Sequence, residues 1–411
     1  MNSEVILNTA NSYENELIEI RRYLHTHPEV GFDLKDTKEY VKKQLIDLGY
    51  NPVECGKAGL VVTAGGKKPG KVFLIRADMD ALPIKEEADV EFASTNGNMH
   101  ACGHDMHTTM LLGAAKLLKE YEDEIEGTIK LMFQPAEEIF EGSKDMINDG
   151  LLENPHVDAA LMIHVTSKLA LPAGTILVSA PGVSAPAADY FEILVKGKGC
   201  HGSSPNSGID PLNVAAHILI SLQEIHAREL SASDKAVLTI GKFIGGSVPN
   251  VIPDTVSMEG SIRTYDEDTR EFLKQRIEEI SKGIASAFRA EVEVKYGSGC
   301  PTLLNNKELS SEVECYVKEL LGEYKAISIA KMSARDSSGG KKSSGGGAGS
   351  EDFAYISQVV PSIMLALAAG HPDKGYNYPQ HHPKVKFDEE VLTSGSAVYA
   401  YTAMRWLQEH K

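Results

Sequence analysis

Four runs of this chain are apolar almost throughout: VFLIRAD (72–78), TIKLMFQ (128–134), AALMIHV (159–165) and PSIMLALA (361–368). Continuous apolar strands, rather than alternating ones, are buried on both faces, and that points to a largely parallel sheet under helices. The segments between them fit. ENELIEIRRYL (14–24) carries apolar residues at helical spacing, and TKEYVKKQLIDLG (37–49) reads as a helix with Asp36 as its N-cap and Gly49 as its stop. A longer helix runs from His104 through TTMLLGAAKLLKEY, and SKDMINDGLL (143–152) is a short one. Alternating strands and helices predict an α/β fold with helices on both faces of a mostly parallel sheet.

The pattern changes near residue 185. Strand ADYFEILVKGKG, helix DPLNVAAHILISLQEI, strands AVLTIGKFIGG and TVSMEGSIRT, helix TREFLKQRIEEISKGIASAF and strand EVEVKY follow in order. This β-α-β-β-α-β succession is that of a ferredoxin-like α+β unit. The expected organisation is a catalytic domain from residues 1–185 and 298–411, interrupted by an inserted domain at 186–297. The last helix is expected from about Glu389 to Gln408. The Gly/Ser-rich stretch SSGGKKSSGGGAGSEDF (337–353) reads as a mobile surface loop or as a loop bordering the active site.

In an open α/β sheet the chemistry sits at the carboxyl ends of the strands. Here those ends are RAD, QPAEE and IHV. Cys102 and His104 stand at i and i+2 in MHACGHDMH, with Gly103 between them to allow a tight backbone. Cysteine, histidine and carboxylate are the side chains that hold first-row divalent metals. A lone buried Cys beside a helix-start His has an ordinary core reading too, and the flanking His100 and His107 add little, since either can be a surface residue. Glu137 and Glu138 follow a strand and cannot both ligate one metal from one face. One as ligand and one as general base is the natural division. His164 ends its strand. His381 and His382 precede Pro383, which keeps the residue before it extended, so their rings point apart and one binds. Asp78 and Asp80 are ligands or partners that orient a ligating imidazole, with Asp80 favoured as the orienting group.

The net charge is −17, with 41 Lys and Arg against 58 Asp and Glu in 411 residues. That argues against nucleic-acid or anionic-membrane partners. No basic, apolar leader and no long uncharged apolar run is evident, and five cysteines are few and odd in number. The expectation is a cytoplasmic protein without disulfides.

The successive motifs RRYLHTHPEVGF, RADMDALPI, MHACGHDMHTT, QPAEE, GKGCHGSSPNSGIDP, NVIPD, GSIRT, SEDF and HHPKVKFDE resemble those of the aminoacylase-like dinuclear metallopeptidases. The similar branch holds hippurate hydrolase, indole-acetyl-amino-acid hydrolases and N-acetyl-diaminopimelate deacetylase. The resemblance spans nearly the whole chain. It implies two divalent ions per subunit, Mn²⁺ or Zn²⁺ with Co²⁺ or Ni²⁺ also acceptable. It implies ligation by Cys102 as the bridging thiolate, His104, Glu138, His164 and His381, with Glu137 as general base; Asp80, the orienting group read above, completes the expected catalytic set. It assigns His201 to the oxyanion, reached from a partner subunit, and Asn250 and Arg263 to the substrate carboxylate. The implied activity is hydrolysis of N-acyl amino acids (acetyl, benzoyl or aryl-acyl) by a homodimer. A dipeptidase or carboxypeptidase, or a silent binding protein, are the alternatives. Three departures stand out: Cys200 where glycine is usual, the KKSSGGGAG insert, and SAPAADY as a loose hinge match.

Overall fold

The computed structural model describes residues 2–329 and 349–411. The chain divides into two compact units. The first comprises the chain to Ser184 and from Leu304 onward, and the second comprises Ala185–Leu303 and takes in Ser350. Most of the Gly/Ser-rich stretch lies outside the described residues.

The first unit opens with α1 (Ser3–Asn11), α2 (Glu14–Thr26) and α3 (Lys35–Asp47), then β1 (Val53–Cys55), β2 (Gly59–Gly65), β3 (Val72–Asp78), α4 (His104–Glu120), β4 (Thr128–Gln134), α5 (Gly142–Asn148), β5 (Ala159–Thr166), β6 (Ile176–Val178) and the short β7 (Gly182–Ala185). After the second unit come β14 (Leu303–Asn305), α8 (Lys307–Leu321), β15 (Ala326–Ser328), α9 (Ala354–Ser357), β16 (Ser362–Ala368) and α10 (Leu392–Glu409). Eight strands form one sheet in the order β1-β2-β4-β3-β5-β16-β6-β15. Its centre, β4-β3-β5-β16, is parallel. The chain leaves β3 for β4 on one side and returns to β5 on the other. β3 is therefore a switch point, beyond whose carboxyl end a crevice forms.

The apolar runs do what continuous apolar strands predict. Every residue of β3 is buried. Phe73, Ile75 and Ala77 join the large core with Ile129, Leu131, Leu161 and Ile163 under α4 and α10. Arg76, on the other side of the strand, is fully buried as well.

Two local readings change. The Ser3–Asn11 helix was not anticipated; its first turn is capped by Asn2, whose side chain accepts from Glu4 N–H. Asp36 is not the N-cap of α3 but lies in its first turn, with Leu34 in the cap position. The capping is done from a distance. The Glu29 carboxylate accepts from Asp36 N–H at 3.2 Å and Thr37 N–H at 2.7 Å, satisfying donors that a helix start leaves open.

The second unit holds β8 (Ala187–Lys196), β9 (Cys200–His201), α6 (Pro211–Glu224), β10 (Ala236–Gly245), β11 (Val251–Ile252), β12 (Thr255–Thr264), α7 (Glu267–Ala287) and β13 (Glu291–Cys300). Its sheet runs β10-β12-β8-β13, antiparallel throughout. That order with two helices is the ferredoxin-like arrangement. Phe191, Ile193, Val195, Met258 and Ile262 pack against Val214, Ile218, Leu273 and Ile277 of α6 and α7. The opposite face of the sheet carries no helix of this unit. β13 runs on past the expected Tyr296, through a register shift between Tyr296 and Gly299. Among the described residues, no helix is long and apolar enough to cross a membrane.

Candidate metal centre

Three loops at the carboxyl ends of β3, β4 and β5 converge. Gly103 stands at the N-cap of α4 with φ 96°, and a Cβ there would meet Val165 Cγ2 at 2.4 Å. Only glycine takes that turn against β5 without strain. It sets Cys102 in the loop and His104 in the first helical position, both buried. Beyond β4, Ala136 has φ 55°, a left-handed conformation in a non-glycine residue, and its N–H donates to Gly31 O at 3.1 Å. This strained turn faces Glu137 and Glu138 inward. His381 also has positive φ, 64°, and its N–H is fixed on Ala101 O at 2.9 Å.

The side chains meet. Cys102 Sγ lies 3.5 Å from His164 Nε2, and Glu138 Oε1 lies 3.4 Å from His381 Nε2. His104 Nε2 is 3.9 Å from both Glu137 Oε2 and Glu138 Oε1. Cys102, His104 and His164 form one group whose ligand atoms lie within 4.8 Å of one another. Cys102, Glu138 and His381 form a second, and His104, Glu137 and Glu138 a third. Cys102 is common to the first two. As expected, the paired histidines diverge: His381 turns to Glu138, whereas His382 stacks on Tyr378 at 4.3 Å.

The imidazoles are oriented by their far nitrogens. His104 Nδ1–H donates to Asp80 O at 2.8 Å, and His164 Nδ1–H to Val165 O at 2.7 Å. Both therefore present Nε2 lone pairs inward, as metal-binding histidines do. His104 Nε2 and Glu138 Oε1 are buried with no hydrogen-bond partner, although buried polar atoms are nearly always paired. A thiolate, imidazoles and carboxylates with unused lone pairs fit a pair of divalent ions.

The charges agree. Burial and Glu138 push the Cys102 thiol up, but His164 and His104 outweigh them and bring it down to about 6. Burial opposes a charge on His164, yet the neighbouring thiolate lifts it to about 9. The adjacent Cys102 and Glu138 hold His381 up at about 10. Burial, then Glu351, Glu138 and Asp352, hold the Glu137 carboxyl well above the usual range.

Around this cluster lie residues the sequence reading passed over. His107 is not a surface residue but fully buried. It accepts from Val165 N–H on Nε2 at 2.8 Å and meets Asp78 Oδ1 through Nδ1 at 2.6 Å, so neither nitrogen is left for a metal. His100 is buried too. Arg76 donates to Gln134 at 2.7 Å, Asp78 at 2.6 Å, Glu351 at 2.8 Å and Asp352 at 3.0 Å. It ties the ends of β3 and β4 to the SEDF segment. Asp105, beside His104, is gripped by Arg21 and His25, both at 2.8 Å. A charge inside an apolar strand, and His104 and His107 at i and i+3 on a helix, were the available signals.

The remaining predicted residues lie in the second unit. His201 and Val251 pair across β9 and β11, and Gly202 N–H donates to Asn250 O at 2.8 Å, so His201 and Asn250 lie at one end of a small two-stranded antiparallel sheet. His201 is exposed. Its Nδ1 accepts from Ser203 N–H at 3.2 Å, which leaves Nε2–H as the donor in the neutral ring. Arg263 has its own partners, Tyr190 and Ser350.

The family described as Peptidase family M20/M25/M40 matches residues 74–405. The chain is similar to N-acetyl-L-cysteine deacetylase of Bacillus subtilis, 36% identical over 97% of this chain and 90% of that protein. It is as similar to thermostable carboxypeptidase 1 of Saccharolobus solfataricus, 36% identical over 98% of each. Among solved structures, a dinuclear metal-binding peptidase of the M20 family from Bacillus subtilis superposes with a TM-score of 0.76 at 31% identity, covering 97% of this chain and 99% of that one.

Proposed function

The chain belongs to the peptidase family M20/M25/M40, and from that premise we propose that it is a metal-dependent amidohydrolase releasing the acyl group from N-acyl amino acids. Cys102, His104, Glu138, His164 and His381 would hold two divalent ions, Zn²⁺ or Mn²⁺ by the donor set, with Co²⁺ or Ni²⁺ as substitutes. Such ions, when bound, supply Lewis acidity and lower the pKa of water towards ~7.

The observation that carries the reading is the place of Glu137. It is buried beside the ligands, 3.9 Å from His104, yet belongs to neither group built on Cys102. A carboxylate in that position takes the proton of the attacking water at Oε and returns it to the leaving nitrogen. Asp80 keeps it there, accepting from Glu137 N–H at 3.0 Å and Glu138 N–H at 3.2 Å. His201, with its proton on Nε2, would donate to the tetrahedral oxyanion. Asn250 and Arg263 would receive the substrate carboxylate.

The partner we propose is a second copy of the chain. β10 is one of the two outer strands of its sheet and exposes Val237, Phe243 and Ile244, an edge that a free monomer would have to protect.

Cleavage of a C-terminal residue from a peptide uses the same groups, and the carboxypeptidase relative favours it as a second reading. The test is a rate screen of metal-loaded enzyme on acetyl-, benzoyl- and indole-acetyl-amino acids beside N-blocked dipeptides. Preference for the acyl amino acids supports the proposal. Preference for the dipeptides selects the second reading, and no amide turnover with Zn²⁺, Mn²⁺ or Co²⁺ overturns both.

A further inference from the structure

The arginines of the second unit are not used alike. Arg270 is committed to carboxylates, with Asp189 at 2.7 and 2.8 Å and Glu267 at 2.8 Å. Arg276 is committed to Glu229, at 2.7 Å through two nitrogens, and to Glu279. In each the charge is compensated by the fold. Arg263 differs. Its Nη1 donates to Ser350 Oγ at 2.5 Å and its Nη2 to Tyr190 Oη at 3.3 Å, and its guanidinium carbon lies 5.8 Å from the centre of the Tyr190 ring. Hydroxyl oxygens fix the direction of a guanidinium without neutralising it.

The strand register explains the pairing. Arg263 stands opposite Ala188, and Tyr190 opposite Ser261. Tyr190 and Arg263 are therefore diagonal neighbours on one face of the sheet, within reach of a long side chain and a ring. This is the face away from α6 and α7, since Phe191 and Ile193 point to the helices. Tyr190 is 44% exposed, and its hydroxyl reaches Arg263 Nη2.

We propose that Tyr190 is a positioning residue for carboxylate selection. Its hydroxyl, with that of Ser350, holds the Arg263 fork in one orientation while leaving its charge for an incoming carboxylate. The inference rests on the reading that Arg263 receives the substrate carboxylate. An unheld arginine would bind the same anion after paying the rotamer entropy of ordering itself. The clamp should thus act on KM and on the preference for a free carboxylate, not on bond cleavage.

The experiment compares an N-acetyl amino acid with its carboxamide in metal-loaded wild type, Tyr190→Phe, Ser350→Ala, Arg263→Met and the double variant Tyr190→Phe/Arg263→Met. Tyr190→Phe should raise KM for the carboxylate about tenfold, the scale of one hydrogen bond to a charged group, with kcat within about twofold. It should leave the carboxamide unchanged. In the Arg263→Met background it should do nothing further. Equal effects of Tyr190→Phe on both substrates, or none on either, overturn the role of Tyr190 while Arg263→Met still discriminates. If Arg263→Met affects the two substrates alike, the carboxylate reading of Arg263 falls, and the clamp with it. Circular dichroism of Tyr190→Phe, a half-exposed site, checks that the fold is kept.

Discussion

The carboxylate of Asp80 carries the backbone of Glu137: its Oδ1 accepts the Glu137 N–H at 3.0 Å, while Oδ2 accepts the Glu138 N–H at 3.2 Å. The backbone carbonyl of the same residue fixes His104. One residue at the end of β3 thus sets the proposed base and two proposed ligands without touching the reacting atoms itself. Asp80→Ala should leave two buried N–H groups unpaired and let the glutamate turn move. We expect metal affinity to fall about 10–100-fold and kcat by about 10², with far-ultraviolet circular dichroism preserved. Metal competition against a chromophoric chelator and initial rates give both numbers. Wild-type affinity and rate together would dismiss the positioning role.

Glu137→Gln separates the proposed base from the proposed ligands. The amide keeps the shape and loses the ability to take a proton. The variant should retain its metal and lose about 10²–10⁴ in kcat, the usual span for a general base. Metal content by mass spectrometry is read beside turnover. A rate within tenfold of wild type, at full metal content, removes Glu137 from the role.

Cys102 sits near pKa 6 because His164 and His104 overcome its burial and Glu138, so it is a thiolate at neutral pH. It should serve as a ligand rather than a nucleophile, and metal should shield it. Apo protein is expected to react with iodoacetamide at Cys102 at least about tenfold faster than metal-loaded protein, by peptide mapping. Equal rates in the two states would count against ligation, and an accumulating acyl-enzyme would make it the nucleophile.

Behind His104, burial works against the charge of Asp105, but Arg21 and His25 outweigh it and hold its carboxyl well below the usual range. A depressed carboxyl stabilises the fold above its unfolded pKa of ~3.9 and loses that contribution as pH falls towards the folded value. Asp105→Asn should therefore cost about 3–5 kcal/mol near pH 7, as breaking a buried pair does. The gap from wild type should narrow as pH drops below ~4. Urea denaturation of both apo proteins from pH 3 to 8 tests the sign. A gap that is constant with pH refutes it.

How much of this was legible beforehand depends on range. Strand type, the switch from parallel to antiparallel pattern and the candidate ligands at the strand ends are local: apolar continuity, Gly103, adjacent glutamates and His before Pro each carry their reason within a few residues. What stayed hidden is long-range pairing of buried charge. Arg76 meets Glu351 and Asp352 across more than half the chain, and nothing near Arg76 says which acids will reach it. Asp36 misled for a different reason: a loop carboxylate seven residues upstream, Glu29, does its nominal capping task. His107 was judged by its flank rather than by its helix face. Tyr190 gave no signal at all, because its tie to Arg263 depends on strand register, which periodicity alone does not set.

His201 is exposed on the second unit, with Nε2–H as the donor in the neutral ring, while all five proposed ligands lie in the first. The hypothesis is that His201 of one subunit serves the metal centre of the other. Glu137→Gln and His201→Ala proteins, each nearly inactive, are mixed and allowed to exchange subunits. A hybrid dimer then holds one site with both residues intact and one with neither, so activity should return towards half of wild type per hybrid. If His201 acts within its own subunit, every site in the hybrid carries one lesion and nothing returns. Light scattering on the wild type decides first whether there is a dimer at all, and a monomer ends the hypothesis before any kinetics.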